Sequence, residues 1–496
     1  MESAPALLYF ANQPVDLRYR ILKKRSLGIC ALAALVTAGV LAGCGNNFYF
    51  AGRVLPPSGI ANRVMIAIQN PSVASKGLLQ FVDAFYDIRQ SYNDKVPGFS
   101  ISGYSGALPA TIQNMPEEQI GAVYGSGDGS FTIVSYAKES TSGAAATLSG
   151  LSSSVFTSRN QLYVIAASQQ ANVLTVVDKK GGKNYTLSLP GVNHVSINPG
   201  GTVMMAFVQN SNYAYYPFKL TSADSTTLAA YYLANQNWPA PYVDCEPKNL
   251  PGMCLAQVQD PSGNALQFDR PVKAVFSSDG SSAYILNCGP ECGGNASSVS
   301  ILPVAPMNVQ DGQQTGTLPT QSSLTTTSVP GGASNALEDA STLYVLGEQL
   351  LPDGLFTGNL TLIDLTNNTA GSAISVSDSA PGQRTRMILA DDNTLWLGGI
   401  RCTEGERFAK GEPYGCLTMF NTSTNAVTMI EPFQGDLTGL AAVTSLHKLY
   451  IAEGGQVYIY STTDGSAINN FYVTVTGTAY DVAYMDAITD GDNTVY

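Results

Sequence analysis

The 496-residue chain has two histidines, His194 and His447, which leaves little material for histidine-based metal centres or acid–base relays. Charge is sparse: 12% of residues are charged, 25 basic against 37 acidic, for a net charge of -12. After residue 25 there is no long basic run, so the clustered Lys and Arg that phosphates demand are missing and no nucleic-acid partner is expected. The chain contains no C-x-x-C pair. A full G-x-S-x-G nucleophile elbow is also missing, since Gly103-Tyr104-Ser105-Gly106-Ala107 ends in Ala. The run from Gly125 to Gly129 lacks the Lys-Ser/Thr end of a phosphate loop and reads as a hairpin turn. Charged amphipathic helical stretches are wanting, apart from a weak one near 227–235. What is present is 44% hydrophobic residues, 48 glycines and 26 tyrosines, enough for the core of one large all-β domain and unlike a disordered or collagenous chain.

The first segment reads as an address. Arg18, Arg20, Lys23, Lys24 and Arg25 precede an uncharged stretch, 26–43, too short and too rich in Ala and Gly for a membrane span. It ends Leu41-Ala42-Gly43-Cys44, which resembles the bacterial lipobox. The resemblance implies cleavage before Cys44, lipidation of its thiol and acylation of the new amino end. Several acyl chains on one residue suffice for stable anchoring. Gly45 after the cysteine implies the outer membrane in a two-membrane cell. Stretch 1–19 is longer than such signals carry, which points to a downstream start. The expected organisation is a signal at 1–44, a short linker at 45–60 and one domain at 61–496. Residues 1–44 hold five of the 25 basic and two of the 37 acidic residues, leaving 20 against 35, a net charge near -15.

Cysteine usage fits the same compartment. Apart from Cys30 in the leader and Cys44, six remain as near couples: Cys245 with Cys254, Cys288 with Cys292, and Cys402 with Cys416. Neighbours this close favour local disulfides in an oxidising compartment over a shared metal.

The body repeats itself. A polar turn leads into an apolar run carrying Tyr or Trp, as at Gly200–Met205, Asp279–Ile285, Ala340–Val345, Asp392–Leu397 and Leu446–Ile451, with weaker copies at Tyr163, Tyr124 and Arg63. A second run follows, alternating apolar residues with Thr and closing on Asp, Asn or Ser: Val173–Asp178, Leu360–Asp364, Leu417–Asn421 and Val457–Ser461. Such alternation bounded by turn residues marks half-buried strands. Short strands recurring at this spacing predict an all-β, seven- or eight-bladed β-propeller of four-stranded antiparallel blades. Eight Tyr/Trp units are counted, from Arg63 to Leu449. The strand near Tyr480 is expected to supply the missing innermost strand of the first blade. The doubled gap from Met204 to Tyr284 reads as a loop insertion near 219–265, with an extra degenerate blade as the alternative.

The residues Tyr163-Val164-Ile165, Asn172 to Asp178, Leu189-Pro190-Gly191 and Val195 to Gly201 resemble the YVTN-type β-propeller repeat of surface-layer and lactonase-like proteins. The match is good over 163–205 and looser at 273–302 and 341–369. This resemblance implies the fold and admits, as an alternative function, hydrolysis of sugar-acid lactones.

No catalytic residue and no cofactor are assigned from the sequence. His194 and His447 both sit at strand–turn edges, where a solvated or structural histidine is the common case. A convergence of either with Glu and Arg at a channel mouth would favour the hydrolase; a place on the rim would remove it. Asp486, Asp490 and Asp492 offer oxygen ligands around a glycine that would suit Ca²⁺, but they miss the EF-hand spacing and equally suit a hairpin turn, the preferred reading. Long loops are the better place for binding, with Trp238 and Tyr242 in one and Glu404 and Arg407 in the Cys402–Cys416 loop. The expectation is a binding or assembly module held to a membrane through its lipid, with a protein or glycan partner.

Overall fold

The computed structural model describes residues 53 and 55–496, apart from 71–76, 90–98, 249–251, 311, 378–382, 391–392, 403–405, 407–408, 412–415, 431–434 and 490–492. Among these residues the strands form eight antiparallel sheets, the blades of a β-propeller. The repeated Tyr/Trp run is the second strand of each blade: Arg63–Gln69, Ile120–Gly125, Tyr163–Ser168, Met204–Val208, Ser282–Asn287, Thr342–Leu350, Thr394–Ile400 and Lys448–Glu453. Blades 1 to 8 are numbered here in that order.

A second strand has a neighbouring blade on either face, so both faces are buried and apolar residues run on without alternation. In blade 1, Val64, Ile66 and Ile68 pack toward blade 8 while Met65 and Ala67 pack toward blade 2. Blade 4 divides its strand likewise: Met204 and Ala206 face blade 3, and Met205 and Phe207 face blade 5. An outer strand such as Lys183–Ser188 alternates instead, burying only Tyr185 and Leu187. One apolar cluster fills each blade-to-blade junction.

The ring closes as the repeat count implied. Thr478–Tyr484 pairs antiparallel with Arg63–Gln69 and becomes the innermost strand of blade 1, which settles the blade number at eight. Arg63, 3% exposed, locks this seam. Its Nε and Nη2 donate to the two oxygens of Asp486 at 3.0 and 2.7 Å, and its Nη1 donates to Glu139 of blade 2 at 2.9 Å. Asp481, in the closing strand, accepts from the backbone N–H of Ile112 in blade 2 at 2.7 Å.

Blade 4 differs from the rest. After its third strand, Ala214–Phe218, the chain forms helix α1, Ser222–Asn235, then Tyr242–Glu246 and Met253–Gln257. Met253–Gln257 returns to pair with Ala214–Phe218, making a five-stranded blade. The doubled gap is therefore an insertion within one blade rather than an additional blade. Thr221 caps α1 by accepting from the Asp224 N–H, and Gln236, at φ 58°, ends it.

All three cysteine couples are disulfides. Cys245–Cys254 joins register partners of the inserted hairpin, and Cys288–Cys292 closes the turn Gly289–Cys292 after the second strand of blade 5. Cys402–Cys416 spans the loop between the second and third strands of blade 7. No helix of the described residues is long and apolar enough to cross a membrane. The leader and Cys44 lie outside the described residues.

Candidate functional site

The first residues of the innermost strands of blades 1 to 7 ring a cavity of about 560 Å³ on the propeller axis. Five of these strands, in blades 1, 2, 4, 5 and 7, carry a register shift near their start, as does the innermost strand of blade 8. A bulge leaves one residue unpaired and re-aims its neighbour. Asn193, Val272 and Thr385 are the unpaired residues in blades 4, 5 and 7. The residues that follow them, His194, Lys273 and Arg386, all line the cavity.

Lys273, 8% exposed, donates to Asn335 Oδ1 at 2.7 Å. The amide of Asn335 turns its Nδ2 to the Thr385 carbonyl at 3.3 Å, next to Arg386. Arg386 Nε donates to the Thr438 carbonyl at 2.9 Å, and its guanidinium lies 4.3 Å from the centroid of the Tyr496 ring. The Tyr496 hydroxyl is 2.7 Å from Asp481 Oδ2 and 3.0 Å from the Ile112 carbonyl. Val495 pairs antiparallel with Met387, and Thr494 bonds the Leu440 carbonyl. Residues 494–496 thus run along the axis, and Tyr496 contributes to the cavity lining.

Burial sets the charge states here. It lowers the Lys273 amine to about 7, assisted by the charge of Arg386. His194 falls to about 3, through burial first and Lys273 second, so its imidazole is neutral. Its Nε2 is buried without a hydrogen-bond partner among the described residues. Burial raises Asp481 to about 6, against the pull of Arg386. Above this cluster the rim carries serines whose hydroxyls reach backbone carbonyls: Ser126 to Leu108 at 3.0 Å, Ser153 to Asn193 at 2.6 Å and Ser334 to Leu346 at 3.3 Å. With their hydrogens spent, these oxygens can offer lone pairs to the cavity.

The residues singled out from sequence fall elsewhere, with one exception. His194, read as an ordinary turn residue, sits instead at the mouth because a bulge turns it there. His447 is exposed and ends a short 3-10 turn at φ 52°. Trp238 stacks on Tyr232 at 4.2 Å and donates to Asp244 at 3.3 Å, on the inserted segment of blade 4. Tyr242 lines a separate cavity of about 400 Å³ with Tyr216 and Phe218. Glu404, Arg407, Asp490 and Asp492 lie outside the described residues. Both oxygens of Asp486 are engaged by Arg63. Among the described residues no three His, Cys, Asp or Glu side chains converge as a metal site. Sequence reasoning passed over Lys273, Arg386 and Tyr496; a lysine inside an otherwise apolar strand start, Pro271–Phe276, was the available signal.

No family model and no curated protein matches this chain. Solved structures resemble this chain at low identity. Apo AztD from Citrobacter koseri is 10% identical over 85% of this chain and 97% of that one, with a TM-score of 0.48. Hydrazine synthase of Kuenenia stuttgartiensis is 13% identical over 69% and 91%, with a TM-score of 0.43. A Bacteroides fragilis protein provisionally described as a 6-phosphogluconolactonase is 10% identical over 85% and 97%, with a TM-score of 0.39.

Proposed function

We propose that this chain is a lipid-anchored, extracytoplasmic β-propeller that binds a glycan at its channel mouth without transforming it. The observation that carries this reading is the make-up of the mouth: hydroxyl acceptors on the rim, two tyrosines, Tyr124 and Tyr480, in the lining, and polar side chains delivered by separate blades around a cavity of about 560 Å³. Concave sites with a few convergent polar groups suit small or terminal ligand units. A protein partner would need a contact of about 1,000 Å² or more, and the mouth offers a pocket rather than a face.

Two measurements test the reading. Detergent-solubilised protein profiled against immobilised oligosaccharides should retain a glycan, and Lys273→Met should weaken that retention; retention of polypeptide alone would overturn it. Replacing Cys44 by Ser should move the protein from the membrane pellet to the soluble exported fraction, and continued membrane retention would overturn the anchor.

A second reading, hydrolysis of sugar-acid lactones, is favoured by one observation: His194, Glu291 and Arg386 line the same cavity. It ranks second because burial holds His194 neutral down to about 3, which makes it a weak base, and Glu291 already accepts the Glu348 N–H at 3.0 Å. Acid release from δ-gluconolactone that disappears in His194→Gln would promote it over binding.

A further inference from the structure

We infer that the channel mouth selects a carboxylate, the acid group of a uronate-type sugar, held between Lys273 and Arg386 with the imidazole of His194 as a further donor. This rests on the glycan-binding reading above and specifies the chemistry of its ligand.

The two cations share one cavity, and Asp481, the carboxylate that acts on Arg386, does so without forming an ion pair. Among the described residues neither Lys273 nor Arg386 forms an ion pair. Lys273 has three donors, and the Asn335 oxygen uses one of them. Arg386 spends Nε on Thr438 and Nη1 on Thr385, leaving Nη2 without a hydrogen bond among the described residues. The carboxylates at hand are committed elsewhere. Asp481 accepts from Ile112 N–H, Val482 N–H and the Tyr496 hydroxyl, and Glu291 accepts from Glu348 N–H. His194 adds an independent pointer, because the residue lines the same cavity and its Nε2 is buried without a hydrogen-bond partner among the described residues. A neutral imidazole protonated at that nitrogen donates one hydrogen bond to an anion and costs no charge repulsion.

The setting strengthens the point. The body of this protein carries roughly 20 basic and 35 acidic residues, and repels anions at long range. Two cations without an ion-pair partner on the axis of such a molecule make a local exception that a small ligand can exploit. Charge-assisted hydrogen bonds to a carboxylate are the strong kind, and they strengthen in a site with little water. The rim hydroxyls supply the acceptors that sugar hydroxyl groups need, so one ligand satisfies both halves of the pocket.

A pH dependence follows from the same geometry. The groups facing Lys273 are His194 from blade 4, Asn335 from blade 6, Arg386 from blade 7, Glu291 from the mouth turn, and Asp481 and Tyr496 beyond Arg386. Of these, Lys273, with its amine at about 7, and Asp481, with its acid at about 6, change charge near neutrality, and both changes make the site less positive as pH rises. An incoming carboxylate favours the ammonium, so binding takes up a proton and weakens as pH rises from 6 to 9.

Isothermal titration of the whole protein with D-galacturonate and with D-galactose tests this. Galacturonate should bind about tenfold or more tightly than galactose, the difference one or two buried charge-assisted contacts make. Lys273→Met and Arg386→Met should each bring galacturonate down to the level of galactose, with circular dichroism and melting confirming the fold; Lys273→Arg keeps a cation and should retain part of the preference. Equal affinity for the two sugars overturns the carboxylate inference and leaves glycan binding standing. Binding of neither sugar at millimolar concentration overturns both.

Discussion

Two clusters, each built on a buried cation, sit in this protein, and they are opposites. At the seam, Arg63 meets Asp486 in a bidentate pair and Glu139 through its remaining nitrogen. At the channel mouth, Lys273 meets a neutral amide and Arg386 meets backbone carbonyls and an aromatic ring. A cation taken out of water needs its charge balanced. Where the chain supplies the balance itself, the cluster serves closure of the ring; where no ion pair forms, the proposed carboxylate would supply the balance.

The largest effect should come from breaking the saturated cluster. Arg63→Met leaves Asp486 and Glu139 buried without their cation, and urea unfolding should show a loss of about 3–5 kcal/mol. Lys273→Met should do the reverse at neutral pH and below, gaining about 1–3 kcal/mol because an unpaired buried amine is replaced by an apolar group of similar length. The sign of its pH dependence follows from the lowered amine. Between about 7 and the ordinary value of 10.5 the unfolded state binds more protons than the folded one, so wild-type stability rises with pH. The advantage of Lys273→Met should therefore be full below pH 7 and shrink toward pH 10, read from urea midpoints at pH 6, 8 and 10.

Asp481 gives the smallest test, lying between the two clusters. Its acid is raised from 3.8 to about 6, so the stability it contributes is present below 3.8 and lost as pH rises through 6. Asp481→Asn, which cannot ionise, should compare least well with wild type at pH 4 and improve relative to it above pH 6, by about 1 kcal/mol. A flat difference across that range would mean that Arg386 and Tyr496 balance Asp481 fully, and the contrast between seam and mouth would lose its middle.

The fold was more legible than the site. Repetition made it so: Tyr163, Tyr284, Tyr344 and Trp396 each occupy the second strand of a blade, where two buried faces require an uninterrupted apolar run. The closing strand near Tyr480 could be found because Arg63–Gln69 had no partner before it in sequence. The cysteine couples were legible because short separations leave few alternatives. Helix α1 was visible only as a weak stretch at 227–235, since its Ser- and Thr-rich first turn hides the start at Ser222.

His194, Lys273 and Arg386 stood in the sequence with no common spacing. They belong to blades 4, 5 and 7, and each reaches the axis because a bulge precedes it, a feature of pairing register that no residue type announces. Trp238 and Tyr242, legible as loop aromatics, are half-buried on blade 4, Trp238 against Tyr232 and Tyr242 beside Phe218.

By itself the sequence determined the class of fold, a repeat number of seven or eight, the seam and the disulfide pairs. All of these rest on local periodicity or on short separations, which one strand or one loop can express. Only the tertiary structure decided what lies at the channel mouth. Closing a ring of eight blades brings together residues nearly two hundred positions apart, as between His194 and Arg386, and a one-residue shift of register determines which of them faces the axis.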